Sequence, residues 1–211
     1  MRYKETRSLF LGTYQYKIVL ICPVANLMRG GDFDGALKAL NGWNGADKNS
    51  WTWQSRIKSV DDLECCKLLV KDLKKLKDFD IRIEQPSVNI YTNSVKDVDF
   101  LAKKYTDTIK YISKPAVGAE LEEDTIFMPK MDFDFKITLG ATRQEYTAFV
   151  DWASVNAKVK LTKSCIRDLN KNRSWGGTHF YITGNNNLLL AKMHLGSSIS
   201  KVQRIIKQSK D

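Results

Sequence analysis

Histidine, cysteine and proline are scarce in this chain. Its 211 residues include two histidines, His179 and His194, four cysteines and four prolines. Cys65 and Cys66 are adjacent, Cys22 and Cys165 are remote, and no C-x-x-C pair occurs. That spacing excludes the disulfide framework of a small secreted domain and a structural zinc site. No H-E-x-x-H, Walker loop, dinucleotide-binding glycine fingerprint or G-x-S-x-G is present, so the common metal, nucleotide and nucleophile signatures are missing. Long apolar runs are missing too. The longest, Ile18 to Met28, is 11 residues interrupted by Pro23 and Asn26, against roughly 20 for a membrane-spanning helix. The first ten residues, MRYKETRSLF, lack the apolar core of a secretory leader. These absences predict a soluble protein of a reducing compartment, cytoplasmic, with no membrane partner, cofactor or metal.

Acidic residues are absent where basic ones gather. The net charge is +10. Between Lys158 and Asp211 lie eleven Lys and Arg residues but only Asp168 and Asp211 as acids, so about a quarter of the chain holds nearly all the excess charge. Such asymmetry points to a polyanionic partner, first of all nucleic acid. A basic face that meets an acidic protein, or that serves solubility, is the other reading.

Periodicity and capping residues predict an α+β chain. Tyr14–Ile21 reads as a strand and Phe33, Ala36, Leu37 and Leu40 as a short helix. Ser59 with Asp62 caps a long helix, and Ser94 with Asp97 caps another. Strands are expected at 80–85, 88–92 and 109–113. After an acidic Pro/Gly segment the order recurs. Strands are expected at 133–139, 157–161, 178–183 and 201–207. Helices are expected after a Thr142/Glu145 capping box, after Thr162, and over Leu188, Ala191 and Leu195. Both halves read β-α-β-β-α-β. The sequence echoes itself: Tyr16–Leu20 with Phe135–Leu139, Ile90–Asn93 with Tyr181–Gly184, and Phe100–Lys103 with Leu189–Lys192. The expectation is two ferredoxin-like units with antiparallel sheets and helices on one face. The N-terminal unit covers 1–114, an acidic linker 115–131, and a basic C-terminal unit 132–211.

Strand alternation then places Lys136, Lys158, Lys160, His179 and Tyr181 on the sheet face away from the helices. Cations interleaved with flat rings are what single-stranded nucleic acid requires; packing of this face on the first unit, with its cations at the rim, is the alternative. The stretch Asn170–Tyr181 adds Lys171, Arg173 and Trp175 beside two glycines. It resembles the basic-Gly-aromatic strand motif of RNA-recognition domains, although here the glycines precede His179 instead of separating the aromatics. That resemblance implies base stacking on the sheet. The structural alternative is a turn in which Trp175 plugs a core edge. In the first half Arg29-Gly30-Gly31 precedes a helix whose amides are suited to a phosphate. Trp51, Trp53 and Arg56 form a second aromatic-basic cluster there; Trp51 and Trp53 alternate, so one β face is expected to carry both, with sealing of a small core or of the interface between the units as the alternative.

Enzymatic readings are narrower. Asp132 and Asp134 form the D-x-D that opens polymerase-palm and cyclase domains, but the neighbouring hairpin, Trp175–His179, carries no carboxylate to complete a metal site. His179 among Lys and Arg is suited to general acid–base cleavage of RNA without metal. This style is similar to that of the tandem ferredoxin-like RNA endonucleases of CRISPR systems, whose glycine-rich C-terminal loop is missing here. The small Lys- and Asn-rich chain also resembles uncharacterised tailed-bacteriophage proteins, a likeness compatible with a viral structural or adaptor role. The leading expectation is a non-enzymatic protein that binds single-stranded RNA or DNA.

Overall fold

A computed structural model describes residues 2–44 and 53–207. The chain divides into two compact units, Met1–Ala116 and Val117–Asp211.

In the first unit, β1 (Tyr3–Thr6), β2 (Tyr16–Ile21), β3 (Phe79–Glu84), β4 (Ser87–Thr92) and β5 (Ile109–Pro115) form one sheet in the order β1-β5-β2-β4-β3. The helices are α1 (Phe33–Asn41), α2 (Val60–Leu73) and α3 (Val95–Lys104). Alternation decides which way β2 faces. Ile18 and Leu20 enter one hydrophobic cluster with Ile90 and Ile112, and that same cluster takes Ala36 and Leu40 of α1, Cys66, Val70 and Leu73 of α2, and Val98 and Leu101 of α3. The caps form as the sequence predicts: Ser59 Oγ accepts from Asp62 N at 3.0 Å and Ser94 Oγ from Asp97 N at 3.2 Å. Each satisfies an amide that the first helical turn leaves unpaired.

Asp72, in the last turn of α2, is fully buried. It accepts from Tyr105 Oη at 2.7 Å, from Lys75 Nζ at 3.0 Å and from Lys104 Nζ. One carboxylate thereby ties α2 to the end of α3.

The second unit repeats the strand order of this sheet, with its helices placed differently along the chain. Its sheet has the order β6-β10-β7-β9-β8, from β6 (Thr125–Phe127), β7 (Phe135–Leu139), β8 (Val159–Leu161), β9 (His179–Ile182) and β10 (Ile199–Ile206). Its helices are α4 (Thr147–Val155), α5 (Lys163–Leu169) and α6 (Asn185–Leu195). Ile137, Leu139, Phe180 and Ile182 meet Phe149, Ala153, Cys165, Leu169, Ala191 and Leu195 in one cluster.

Three expectations are corrected. The sheets are mixed, not purely antiparallel: β1 pairs with β5, and β6 with β10, in parallel. Tyr3–Thr6 is short and largely exposed, so it carries none of the apolar alternation that marks a strand in sequence. The Thr142/Glu145 capping box does not form, and α4 starts only at Thr147. The backbone of Thr142 instead exchanges two hydrogen bonds with Ser174 (2.9 and 3.0 Å), so its amide and carbonyl are committed to a partner remote in sequence. Trp53 opens a 3-10 turn, Trp53–Arg56, and not a strand able to present alternate tryptophans.

The echo between halves also needs a change of register. Tyr91 stands opposite Lys17, and Tyr181 opposite Lys136. Ile112 stands opposite Ile18, and Val202 opposite Ile137. Tyr91 therefore corresponds to Tyr181, not to Ile182, and the β4-α3-β5 stretch matches β9-α6-β10 at an offset of 90 positions. The helix caps keep the same offset, Ser94 against Gly184.

Candidate functional site

The chain from Asn170 to Thr178 leaves α5 and runs straight into β9. Its backbone is pinned on both sides of Trp175. Ser174 pairs with Thr142, Gly176 N donates to Ser174 Oγ at 3.2 Å, Gly177 N donates to Leu139 O at 2.8 Å, and Leu139 N donates to Thr178 O at 2.8 Å. Gly176 adopts φ +78° and lies so close to Gly140 that a side chain has no room. Trp175 is nonetheless 86 % exposed. It is not a plug for the core edge.

Arg173 is exposed, with its guanidinium carbon 5.3 Å from the centroid of the Trp175 ring. Lys171 is exposed two residues earlier. The Thr142–Ser174 bridge is antiparallel, so Arg143 lies across from Arg173. Arg143 is exposed and lines a polar cavity of about 300 Å³ with Gln144, Tyr146, Ser197 and Ser198. The Tyr146 hydroxyl is hydrogen-bonded to Ser198 Oγ there. Arg143 escapes a sequence reading because the T-x-x-E pattern assigns it to a first helical turn; only the long-range bridge to Ser174 reveals its neighbours.

On the sheet face away from the helices, Lys136 and Lys160 both stand opposite Tyr181. Lys160 and Lys158 are exposed and Lys136 is half-buried. Tyr181 itself is buried. Phe133 lies 6.0 Å from its ring and His179 meets it edge-on at 5.4 Å. The ring anticipated as an open stacking platform thus forms the floor beneath other side chains. His179 is half-buried; burial and then the charge of Lys136 hold its pKa below the ordinary imidazole value near 6.5. Both effects favour the neutral imidazole.

The first unit keeps the same cross-strand pair, Lys17 opposite Tyr91, with Lys17 Nζ 5.5 Å from the ring centroid. There Phe10 and Tyr14 cover Tyr91 at 5.9 and 6.4 Å, and Asp80 occupies the place that Lys160 holds in the second unit. In the first unit the second lysine of the row lies on the other side, since Lys17 and Lys4 both stand opposite Ser113; only the second unit has a lysine on each side of the tyrosine. Arg29 is exposed and donates to Asn26 Oδ1 at 3.3 Å. The helix end beyond Gly31 is already taken by a carboxylate, since Asp32 Oδ1 accepts from Gly35 N at 2.8 Å; a phosphate there meets like charge. Arg56 is exposed. Trp51 lies outside the described residues.

Of the D-x-D pair, Asp134 is engaged by Gly184 N at 3.0 Å and Lys207 Nζ at 3.3 Å. Among the described residues no group of three or more His, Cys, Asp or Glu is arranged to hold a metal ion, and no helix is long and apolar enough to cross a membrane. No protein-family model matches the chain, and no curated protein or solved structure matches it.

Proposed function

We propose that the second unit binds single-stranded nucleic acid, with Trp175 as the stacking ring and Arg173, Arg143 and Lys171 as phosphate contacts. Each unit is read as a ferredoxin-like β-α-β-β-α-β core, its four-strand order extended by one parallel edge strand. The observation that carries the functional reading is the exposed Trp175 ring on a backbone pinned at both sides. An exposed ring on a fixed backbone gains free energy when a flat base covers it, and a guanidinium beside it adds the charge that a nucleotide supplies in opposite sign. From this loop β9 leads to the row that holds Lys136 and Lys160, which continue the track for a phosphate backbone. The cavity beside Arg143 has room for a phosphate or sugar.

Fluorescence anisotropy with labelled single-stranded RNA and DNA tests this. Trp175→Ala is expected to weaken binding by about 1–3 kcal/mol, the range for one stacked base, while leaving the salt dependence alone. Its effect on stability should stay within about 0.5 kcal/mol, because an exposed ring contributes little to the core. Unchanged affinity in this variant removes the stacking role.

The cations answer to salt. Each phosphate contact on a single strand contributes about −0.7 to the slope of log K against log salt. Lys158→Ala with Lys160→Ala is therefore expected to flatten the slope by about 1.4, and Arg173→Ala by about 0.7. A wild type that binds neither RNA nor DNA at low salt, yet retains polyglutamate, transfers the basic end to an acidic protein partner. Cleavage of the RNA in EDTA that His179→Ala abolishes transfers the reading to a metal-independent ribonuclease.

A further inference from the structure

Three of the four cysteines meet at one place in the first unit. Cys22 follows β2 directly, its amide held by Pro86 O at 2.8 Å. Cys66 projects from α2 into the core, and the two sulfurs lie 3.9 Å apart. Both are buried, yet both line a cavity of about 250 Å³ together with Ile21, Leu69 and the exposed Cys65. The charged and titratable groups at this cavity are Asp62, Asp107, Tyr105 and the thiols themselves; among the described residues no lysine or arginine lines it.

We propose that Cys22 and Cys66 are a reversible dithiol site, oxidised to a disulfide by a small neutral or cationic disulfide that enters this cavity. The sulfurs need to close from 3.9 Å to about 2.05 Å, and the cavity supplies the room for that movement. Cys65 is the wrong partner for Cys66, because neighbours on a helix point about 100° apart. Either thiol can donate in the Cys22–Cys66 contact; with Cys66 as donor the bond favours the Cys22 thiolate, which is the attacking form. The Cys22 thiolate attacks the incoming RS–SR, forming Cys22–S–SR and releasing RS⁻. Cys66 then loses its proton to solvent and attacks the Cys22 sulfur. The Cys22–Cys66 bond forms and the second RS⁻ leaves. One small disulfide is reduced to two thiols while the protein dithiol gives up two electrons and two protons. The carboxylates of Asp62 and Asp107 set the charge preference, since they repel an anionic disulfide and attract a cationic one. Cys165 takes no part: burial pushes its pKa up to about 12, which keeps it a thiol.

The test uses the full chain with three disulfides of similar size: cystamine (cationic), hydroxyethyl disulfide (neutral) and dithiodiglycolate (anionic). After alkylation, intact mass is expected to show two protected thiols and a loss of about 2 Da from the two hydrogens removed. Peptide mapping should place the bond at Cys22–Cys66, and dithiothreitol should reverse it. Cystamine is expected to react severalfold faster than dithiodiglycolate at low salt, with the difference shrinking as salt is added. Cys65→Ser should retain the bond. Cys22→Ser and Cys66→Ser should each lose it and leave a mixed adduct on the remaining partner. In denaturant the pairing should lose its selectivity. A native bond mapped to Cys65, or no intramolecular bond under any of the three reagents, overturns the proposal. Faster reaction with the anionic reagent overturns the cavity as the entrance.

Discussion

Gly176→Ala is expected to cost about 3 kcal/mol or more of stability and to abolish the ordered presentation of Trp175. Two effects add. Its φ of +78° is a conformation that an L-residue adopts only at about 1–2 kcal/mol. A Cβ there would also lie 2.2 Å from the carbonyl carbon and oxygen of Gly140 and 2.8 Å from Ala141 N, contacts with backbone that no rotamer change relieves. Overpacking of this kind costs a further 1–3 kcal/mol or so. Gly177 is the internal control. It has nearly the same φ, +84°, but nothing within 4 Å of the added carbon, so Gly177→Ala is expected to lose only the conformational share, about 1–2 kcal/mol. Urea denaturation of both variants measures the difference, and oligonucleotide binding by the Gly176 variant under native conditions reads the loop. Equal costs for the two glycines would show that the approach to Gly140 does not hold the loop in place.

The contrast between these glycines marks where sequence reading ends. Alternation in Tyr16–Leu20 and Phe135–Leu139 shows the inward faces of β2 and β7 because the signal is local and the period of a strand is two. The caps at Ser59, Ser94 and Thr162 are legible for the same reason: each side chain bonds an amide three residues on. Thr142 shows the opposite case. Its T-x-x-E pattern is as good as theirs, but its backbone is captured by Ser174, and no local rule reports that competition. The site suffers in the same way. Arg173 and Trp175 are visible as a basic-aromatic-glycine cluster, whereas Arg143 joins them only through the bridge. Tyr181 falls on the anticipated face, yet alternation gives direction and not exposure; Phe133, from outside β7, lies over the ring.

The repeat sharpens what distinguishes the two units. The two units carry the Lys17–Tyr91 and Lys136–Tyr181 pairs at matched positions. Around that common pair the units diverge in sign. The partner of Tyr91 on the far strand is Asp80, and that of Tyr181 is Lys160. The first unit covers its tyrosine with Phe10 and Tyr14 and balances its lysine, while the second doubles the lysine. That divergence goes with the concentration of positive charge beyond Lys158.

In the first unit, the Asp72 carboxylate is expected to dominate the response to acid. Burial pushes its pKa up, but the bonds from Lys104, Tyr105 and Lys75 outweigh burial and leave it below the ordinary carboxylate value near 4. A carboxyl group with a depressed folded pKa adds stability above its unfolded pKa and loses it as pH falls through the folded value. Stability of the wild type should therefore decline as the pH drops below about 4. Asp72→Ala is expected to cost about 3 kcal/mol at pH 7, at the low end of the range for breaking a buried ionic contact. The low end applies because Lys75 is largely exposed and Lys104 a third exposed, so both ammonium groups regain water. The Tyr105 hydroxyl does not regain it so readily, since that residue is buried. Asp72→Asn keeps an acceptor for Tyr105 but removes the charge, so it should cost less than alanine and flatten the acid limb. Urea midpoints measured from pH 3 to pH 7 for the three proteins distinguish these terms. If the asparagine variant keeps the full acid slope, another carboxylate governs the transition and the α2–α3 tie is incidental to it.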